Sequence, residues 1–275
     1  MKPNHAIAEK TGVRLQDFRL ILVRPKFAGN IGACARLAAN FGIDDFCVVS
    51  PECAPDWRSS EQVQAFATGK SNELLLSARE YSSLEEALSP CTRALAFTRR
   101  PRDKHPLDLL FSEVLLPPGK KASSHFQQEW PTANEKIALV FGNEKTGLLD
   151  IEIQLCSHCV RIATSDELGS MNLSHAVAVV LARLYERAEL ALSLTRSGVP
   201  EPRTDAVDRF GTLDELTGLW AHWREALQHL GFNQAGNPDR MISSLRALLA
   251  PLQWKHRDIQ LVRGILTRII RKSTS

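Results

Sequence analysis

The sequence predicts an α/β protein: a parallel sheet with helices on both faces, followed by a small helical domain. Three observations carry this. Short apolar runs of strand length alternate with longer stretches of helical periodicity over roughly the first 195 residues. The links between them are short, which favours βαβ units and therefore parallel pairing. Beyond a proline-containing segment at 196–206 only helical patterns remain. The expected organisation is a domain over 1–195, a linker over 196–206 and a helical unit over 207–275.

The elements follow in order. "RLILVRP" (19–25) is a short apolar run ended by proline and reads as a buried strand. "GNIGACARLAANFG" (29–42) reads as a helix with Asn30 as N-cap, an apolar stripe of Ile31, Cys34, Ala35 and Ala38, and Gly42 as its stop. "FCVVSP" (46–51) is the next strand, a helical stretch is expected over 60–79, and "RALAFT" (93–98) is a further strand. The region 101–134 reads as loop with one short helix around "LDLLFSEV". "KIALVFG" (136–142) is the clearest strand, because Ile137 to Phe141 are all apolar. A short helix in "LLDIEIQLC", a strand in "HCVRIAT" (158–164) and a long helix over about 172–193 complete the first unit. The second unit holds three helical segments, with Asn237-Pro238 supplying a cap and an N1 proline to the middle one. There is no internal repeat and no low-complexity tract.

Composition excludes several classes. Apolar residues make up 44% of the 275 and charged residues 24%, the balance of a soluble globular protein. The formal net charge is only +3, so any nucleic-acid face has to be local. The start of the chain has no apolar core of a secretion signal, and no apolar run approaches the roughly 18 residues of a membrane span. The six cysteines, Cys34, Cys47, Cys53, Cys91, Cys156 and Cys159, are therefore expected to be reduced thiols in a cytoplasmic protein. Cys156-Ser-His-Cys159 lacks the second ligand pair that zinc requires, so no metal is expected and buried thiols are preferred.

Common catalytic motifs fail on inspection. "GNEKTG" (142–147) has the glycine spacing of a phosphate loop, but Leu148 and Leu149 stand where Lys-Ser/Thr should follow. No G-x-G-x-x-G follows the first strand, and H-E-x-x-H and G-x-S-x-G are absent. What remains is a set of polar residues just beyond strands: Asn30 and Arg36, then Thr98, Arg99 and Arg100, then Gly142 and Glu144, then Ser170, Met171 and Asn172. Ligands of open α/β sheets bind at the carboxyl ends of strands, so these loops are expected to form one pocket.

The stretches "GNIGACAR", "ALVFGNEKTGL" and "SDELGSMNLSHAVAVV" resemble the three ordered motifs of the SPOUT class of RNA methyltransferases, in its SpoU/TrmH branch. "GFNQAGNPDRMISSLRALL" and "LVRGILTRI" resemble the C-terminal extension of the TrmJ-type enzymes, which methylate the ribose 2′-oxygen of nucleotide 32 in the tRNA anticodon loop. The resemblance spans roughly residues 18 to 270. It implies a trefoil-knotted α/β fold, a homodimer, S-adenosylmethionine as methyl donor and tRNA as substrate. It places Thr98, Arg99, Arg100, Gly142, Ile162, Gly169, Ser170 and Met171 around the cofactor. Arg36, Ser170 and Asn172 match the catalytic positions, and Asn30 and Glu144 match further motif positions. Two departures stand out: "TRRPRD" at 98–103 is bulkier and more basic than the small-residue run of such enzymes, and Gly169 and Met171 replace the usual Ser and Leu.

The chemistry follows from residue type. Arg36 lies on the helix face of Gly32, Ala33 and Asn40, whose small members are expected to leave space for substrate. A guanidinium with a pKa above about 12 is a poor base, so a clamp on a phosphate or a developing alkoxide is preferred over proton abstraction. Ser170 and Asn172 either orient the hydroxyl or cap the following helix, and both roles can coexist. Glu144 is expected to hold a backbone amide or an arginine. Residues 240–272 carry Arg240, Arg246, Lys255, Arg257, Arg263, Arg268, Arg271 and Lys272 against Asp258 alone, a pattern suited to RNA phosphates. Trp220, Trp223 and Trp254 read as core aromatics. The competing readings are a catalytically inactive RNA-binding protein on the same fold and a 2′-O-methyltransferase for another tRNA or rRNA site.

Overall fold

The computed structural model describes residues 15–66, 68–99, 108–111, 135–165, 167, 170–195, 209–232, 238–249 and 254–273. Seven strands form one sheet: β1 (Phe18–Val23), β2 (Asp45–Val49), β3 (Arg79–Tyr81), β4 (Arg93–Phe97), β5 (Asp108–Leu110), β6 (Ile137–Phe141) and β7 (His158–Arg161). Their order is β3-β2-β1-β6-β4-β7-β5, and every neighbouring pair is parallel. The central strands β1, β4 and β6 are buried at every position, which explains their apolar runs from Leu20, Ala94 and Ile137 onwards.

Alternation along those strands divides two cores. Leu20, Leu22, Leu95, Leu139 and Phe141 face α1 (Ala28–Asn40), α3 (Lys70–Ser77) and α6 (Leu173–Thr195). Ile21, Val23, Ala94, Ala138 and Val140 face α4 (Leu84–Leu88) and α5 (Asp150–Gln154). The two faces are thus covered by helices, as expected for a parallel sheet. At the lower end of the sheet Asp45 gathers Arg19, Arg79 and Lys136, tying β1, β3 and the start of β6 to β2.

The second unit consists of α7 (Leu213–His229), α8 (Pro238–Leu249) and α9 (His256–Ser273), with α2 (Glu61–Gln64) belonging to the sheet domain. Leu219, Ala226, Ile259 and Leu266 form its small core. Thr212 and Glu215 close a reciprocal cap on α7. The Leu213 amide donates to the Cys91 carbonyl at 2.7 Å, which fastens this unit to the sheet domain. No helix among the described residues is long and apolar enough to cross a membrane.

Four expectations need correction. The stretch 60–79 is not one helix; α2 and α3 are separated at Gly69, whose φ of 55° with ψ of −125° favours glycine. Within "LDLLFSEV", Asp108, Leu109 and Leu110 form the edge strand β5 by pairing with β7, Phe111 is helical, and the rest of the stretch lies outside the described residues. Asn30 does not cap α1, which begins at Ala28 with Phe27 in the cap position. The face beside Gly32 is not open: a Cβ there would lie 2.9 Å from the Val63 carbonyl oxygen of α2. The loops through which a knot would thread include residues 100–107, 112–134, 166, 168 and 169, outside the described residues.

Candidate functional site

At the carboxyl ends of β4, β6 and β7 lies a cavity of about 550 Å³. Phe97, Phe141 and Leu173 give it apolar walls, and Thr98, Arg99, Thr164 and Ser170 give it polar ones. The whole turn from Gly142 to Gly147 forms one side. Ile162 and Met171 also line it. A cavity of this size, with polar and apolar groups sharing its lining about equally, suits a small organic ligand that carries both.

The 142–147 turn is shaped by its own sequence. A Cβ on Gly142 would come 2.3 Å from the Gly147 carbonyl carbon and 2.4 Å from the Leu148 nitrogen, so only glycine lets the turn fold back this closely. Gly147 sits at φ 67°. Asn143 fixes the interior of the turn, its Oδ1 accepting from the Lys145 and Thr146 amides at 2.9 and 3.3 Å. The result is that Glu144 projects towards the start of α1.

There it ties down the backbone that leads into the helix. The first turn of α1 has no side-chain cap of its own. The Glu144 carboxylate instead accepts from the Lys26 and Phe27 amides at 2.8 and 3.2 Å. An anion at a helix N-terminus is favoured by the free amides and by the helix dipole. Glu144 also accepts from Asn30 Nδ2 at 2.8 Å, and Asn30 Oδ1 accepts from Asn172 Nδ2 at 3.3 Å. Asn172 Oδ1 in turn accepts from the Ser174 amide and hydroxyl at 2.9 and 2.8 Å, capping α6. One chain of side-chain hydrogen bonds therefore joins the three stretches singled out in the sequence.

The remaining site residues are placed as follows. Thr98 donates its amide to the Val160 carbonyl at 3.0 Å and extends β4 towards the cavity. Arg99, Gly142, Ile162, Ser170 and Met171 line the cavity with it. Arg100 and Gly169 lie outside the described residues. Arg36 is exposed, two turns into α1, and is not among the residues lining the cavity of its own chain. Asn30 and Asn172 stand beside the cavity through Glu144 rather than in its wall.

Sequence reasoning missed Arg24. Its guanidinium donates to both Glu152 oxygens at 2.7 and 3.0 Å and to the Gly147 carbonyl at 3.1 Å, from a backbone with φ 50°. No local pattern marks an arginine whose partners lie more than a hundred positions away. Thr146 and Thr164 were likewise missed, being ordinary polar residues until the fold lines them along one cavity.

Cys156 is buried, and burial pushes its thiol far above the usual range. Cys91 is pushed up to about 12 by the same cause. Such thiols are poor nucleophiles and poor ligands. Among the described residues no group of three or more His, Cys, Asp or Glu side chains could hold a metal ion.

Comparison with known proteins gives consistent matches. The model of the SpoU rRNA methylase family matches residues 17–182, and that of the tRNA methyltransferase TrmJ C-terminal domain matches residues 214–275. The chain is 32% identical over 257 residues to the tRNA (cytidine/uridine/adenosine-2′-O-)-methyltransferase TrmJ of Pseudomonas aeruginosa, covering 92% of this chain and 93% of that protein. It is 29% identical over 259 residues to the tRNA (cytidine/uridine-2′-O-)-methyltransferase TrmJ of Salmonella typhimurium, covering 93% and 97%. In structure it is similar to TrmJ from Z. mobilis, with a TM-score of 0.67 at 24% identity over 91% of this chain and 98% of that one. A methylase family protein from Neisseria gonorrhoeae gives 0.57 at 29% identity over 76% and 94%.

Proposed function

The chain belongs to the SpoU rRNA methylase family and carries a TrmJ C-terminal domain, and from that premise we propose that it methylates the ribose 2′-oxygen of tRNA with S-adenosylmethionine as donor, at nucleotide 32 of the anticodon loop. The observation that carries this reading is the Glu144–Asn30–Asn172 chain beside the cavity, which links all three motifs at one place. The TrmJ proteins it resembles are named for 2′-O-methylation of tRNA.

The residues fit the donor. Apolar walls at Phe97, Phe141 and Leu173 suit an adenine ring and the methylene chain of the methionine part, and the glycine-shaped turn lets backbone groups approach closely. Thr98, Arg99, Gly142, Ile162, Ser170 and Met171 would hold it, with Arg100 and Gly169 completing the set. When bound, it supplies an electrophilic methyl group already activated by a sulfonium. The chain therefore has to position a ribose hydroxyl and accommodate the loss of its proton. Ser170, at the cavity edge, is suited to orient that hydroxyl. Asn30, Glu144 and Asn172 hold the first turns of α1 and α6 in register. Arg36, exposed on α1, clamps a phosphate or the developing alkoxide as RNA arrives from solvent.

The helical extension is assigned to RNA binding, and homodimer assembly and a cytoplasmic location belong to the same proposal. The domain division at 1–195, 196–206 and 207–275 is likewise part of it. The test is mass-spectrometric mapping of nucleotides after incubating the protein with unmodified tRNA and S-adenosylmethionine. A 2′-O-methyl pyrimidine at nucleotide 32 supports the proposal. Methylation of a base, or no methylation, overturns it; tRNA binding without donor binding would favour an inactive RNA-binding protein.

A further inference from the structure

Arg24 stands immediately after β1 with its backbone in the left-handed region, φ 50°, where a side chain other than glycine is uncommon. What it holds is the 143–147 turn, and it holds both ends. Its carbonyl accepts from Asn143 Nδ2 at 2.7 Å, at the start of the turn. Its Nη2 donates to the Gly147 carbonyl at 3.1 Å, at the end. Its Nη1 lies 3.4 Å from both Thr146 Oγ1 and Glu52 Oε1. Its Nε and Nη2 form a fork on the Glu152 carboxylate at 2.7 and 3.0 Å, which aims the guanidinium. Glu52 closes the ring by accepting from Asn143 Nδ2 at 2.9 Å. The Arg24 side chain is only 19% exposed and Glu152 only 11%, so the fork is largely shielded from water.

From this geometry we propose that Arg24 is a positioning residue that sets the shape of the donor-binding cavity by clasping the 143–147 turn from behind. The turn supplies one entire wall of that cavity and also presents Glu144 to α1. Arg24 does not line the cavity and touches no reacting group; it acts through Asn143, Thr146 and Gly147. The proposal rests on the reading that this cavity takes S-adenosylmethionine.

A lysine cannot reproduce the fork, because a single ammonium cannot bridge Glu152 and the Gly147 carbonyl in the plane that the guanidinium spans. Arg24→Lys keeps the charge between Glu52 and Glu152 and so protects folding. Arg24→Gly tolerates the φ of 50° and removes the side chain alone. The experiment measures S-adenosylmethionine affinity by calorimetry on the full-length protein, and amide hydrogen exchange at 143–147 without ligand. Arg24→Lys is expected to raise the Kd about tenfold, the loss of one charge-assisted hydrogen bond, and to speed exchange in the turn. Arg24→Gly is expected to do more of both, while cofactor-free tRNA binding stays unchanged in each variant. Wild-type exchange in Arg24→Lys overturns the clasp whatever the ligand result. Faster exchange with an unchanged Kd also overturns the proposal, since the turn would then be held without shaping the cavity. A wild-type protein that does not bind S-adenosylmethionine overturns the reading of the cavity, and this proposal with it.

Discussion

At Gly142 a methyl group has nowhere to go, because backbone atoms of Gly147 and Leu148 lie 2.3 and 2.4 Å from where a Cβ would stand. These neighbours are main chain and cannot swing aside. Gly142→Ala is therefore expected to cost roughly 2–3 kcal/mol, through overpacking, and to open the turn. Thermal melting together with donor affinity checks this: both should fall, and an unchanged Kd would mean the turn tolerates displacement. Arg36 calls for the opposite signature. Its exposed position touches no part of the cavity wall, so Arg36→Ala should leave the fold and donor affinity intact while methyl transfer to tRNA drops by about 100-fold or more, as for loss of a group that stabilises developing charge. Normal turnover would remove Arg36 from the mechanism. At this scale the sequence was informative where motif residues act locally, as with Asn172 capping α6. It misled at Asn30, a residue type suited to capping whose side chain instead donates to Glu144, 114 positions away. Arg24 was invisible for the same reason, since its partners come from α5 and from loops distant in the chain.

Elements were legible in proportion to how far local pattern alone decides them. The buried strands β1, β4 and β6 announce themselves because both faces are covered and their positions are apolar apart from Arg19 and Arg93 near the strand starts. The strand at 108–110 was missed because three residues fit either period, and only pairing with β7 makes them a strand. The expected helix over 60–79 was split by a glycine whose φ of 55° no periodicity count registers. Between elements, Asp45 makes a prediction about acid. Burial pulls its carboxyl up, but hydrogen bonds from Lys136, Arg19 and Arg79 outweigh this and bring it to about 2. A carboxyl whose folded pKa lies below its unfolded value, about 3.9, contributes stability at higher pH that is lost as pH falls through the window from about 4 to about 2. Allowing for screening by solvent, the loss is on the order of 1 kcal/mol. Asp45→Asn should lower stability at neutral pH and flatten the pH dependence across that window, read by urea unfolding at several pH values. An unchanged slope would mean the cluster contributes nothing measurable.

For the whole molecule, the basic tail divides in two. Arg246 lies 5.7 Å from the Trp220 ring and Lys255 4.1 Å from the Phe210 ring, so both are partly engaged in the helical unit. Arg268 and Lys272 are exposed along α9 and face solvent, where RNA phosphates would approach. Replacing Arg268 and Lys272 with alanine should weaken tRNA binding evenly across sequences and reduce the slope of log affinity against log salt by up to about 2. A slope identical to wild type would place the RNA elsewhere. The sequence pattern gave the charge excess but not this division, because which arginines face inward depends on how α7, α8 and α9 pack.

The central claim is that loops after β4, β6 and β7 build one methyl-donor site joined to α1 by Glu144, Asn30 and Asn172. A crystal structure of the protein with S-adenosylhomocysteine tests it most directly. The account predicts the ligand between the Phe97–Arg99 strand end and the 142–147 turn, with Ser170 and Met171 in contact. Ligand bound outside this cavity, or an empty cavity at saturating concentration, would contradict it.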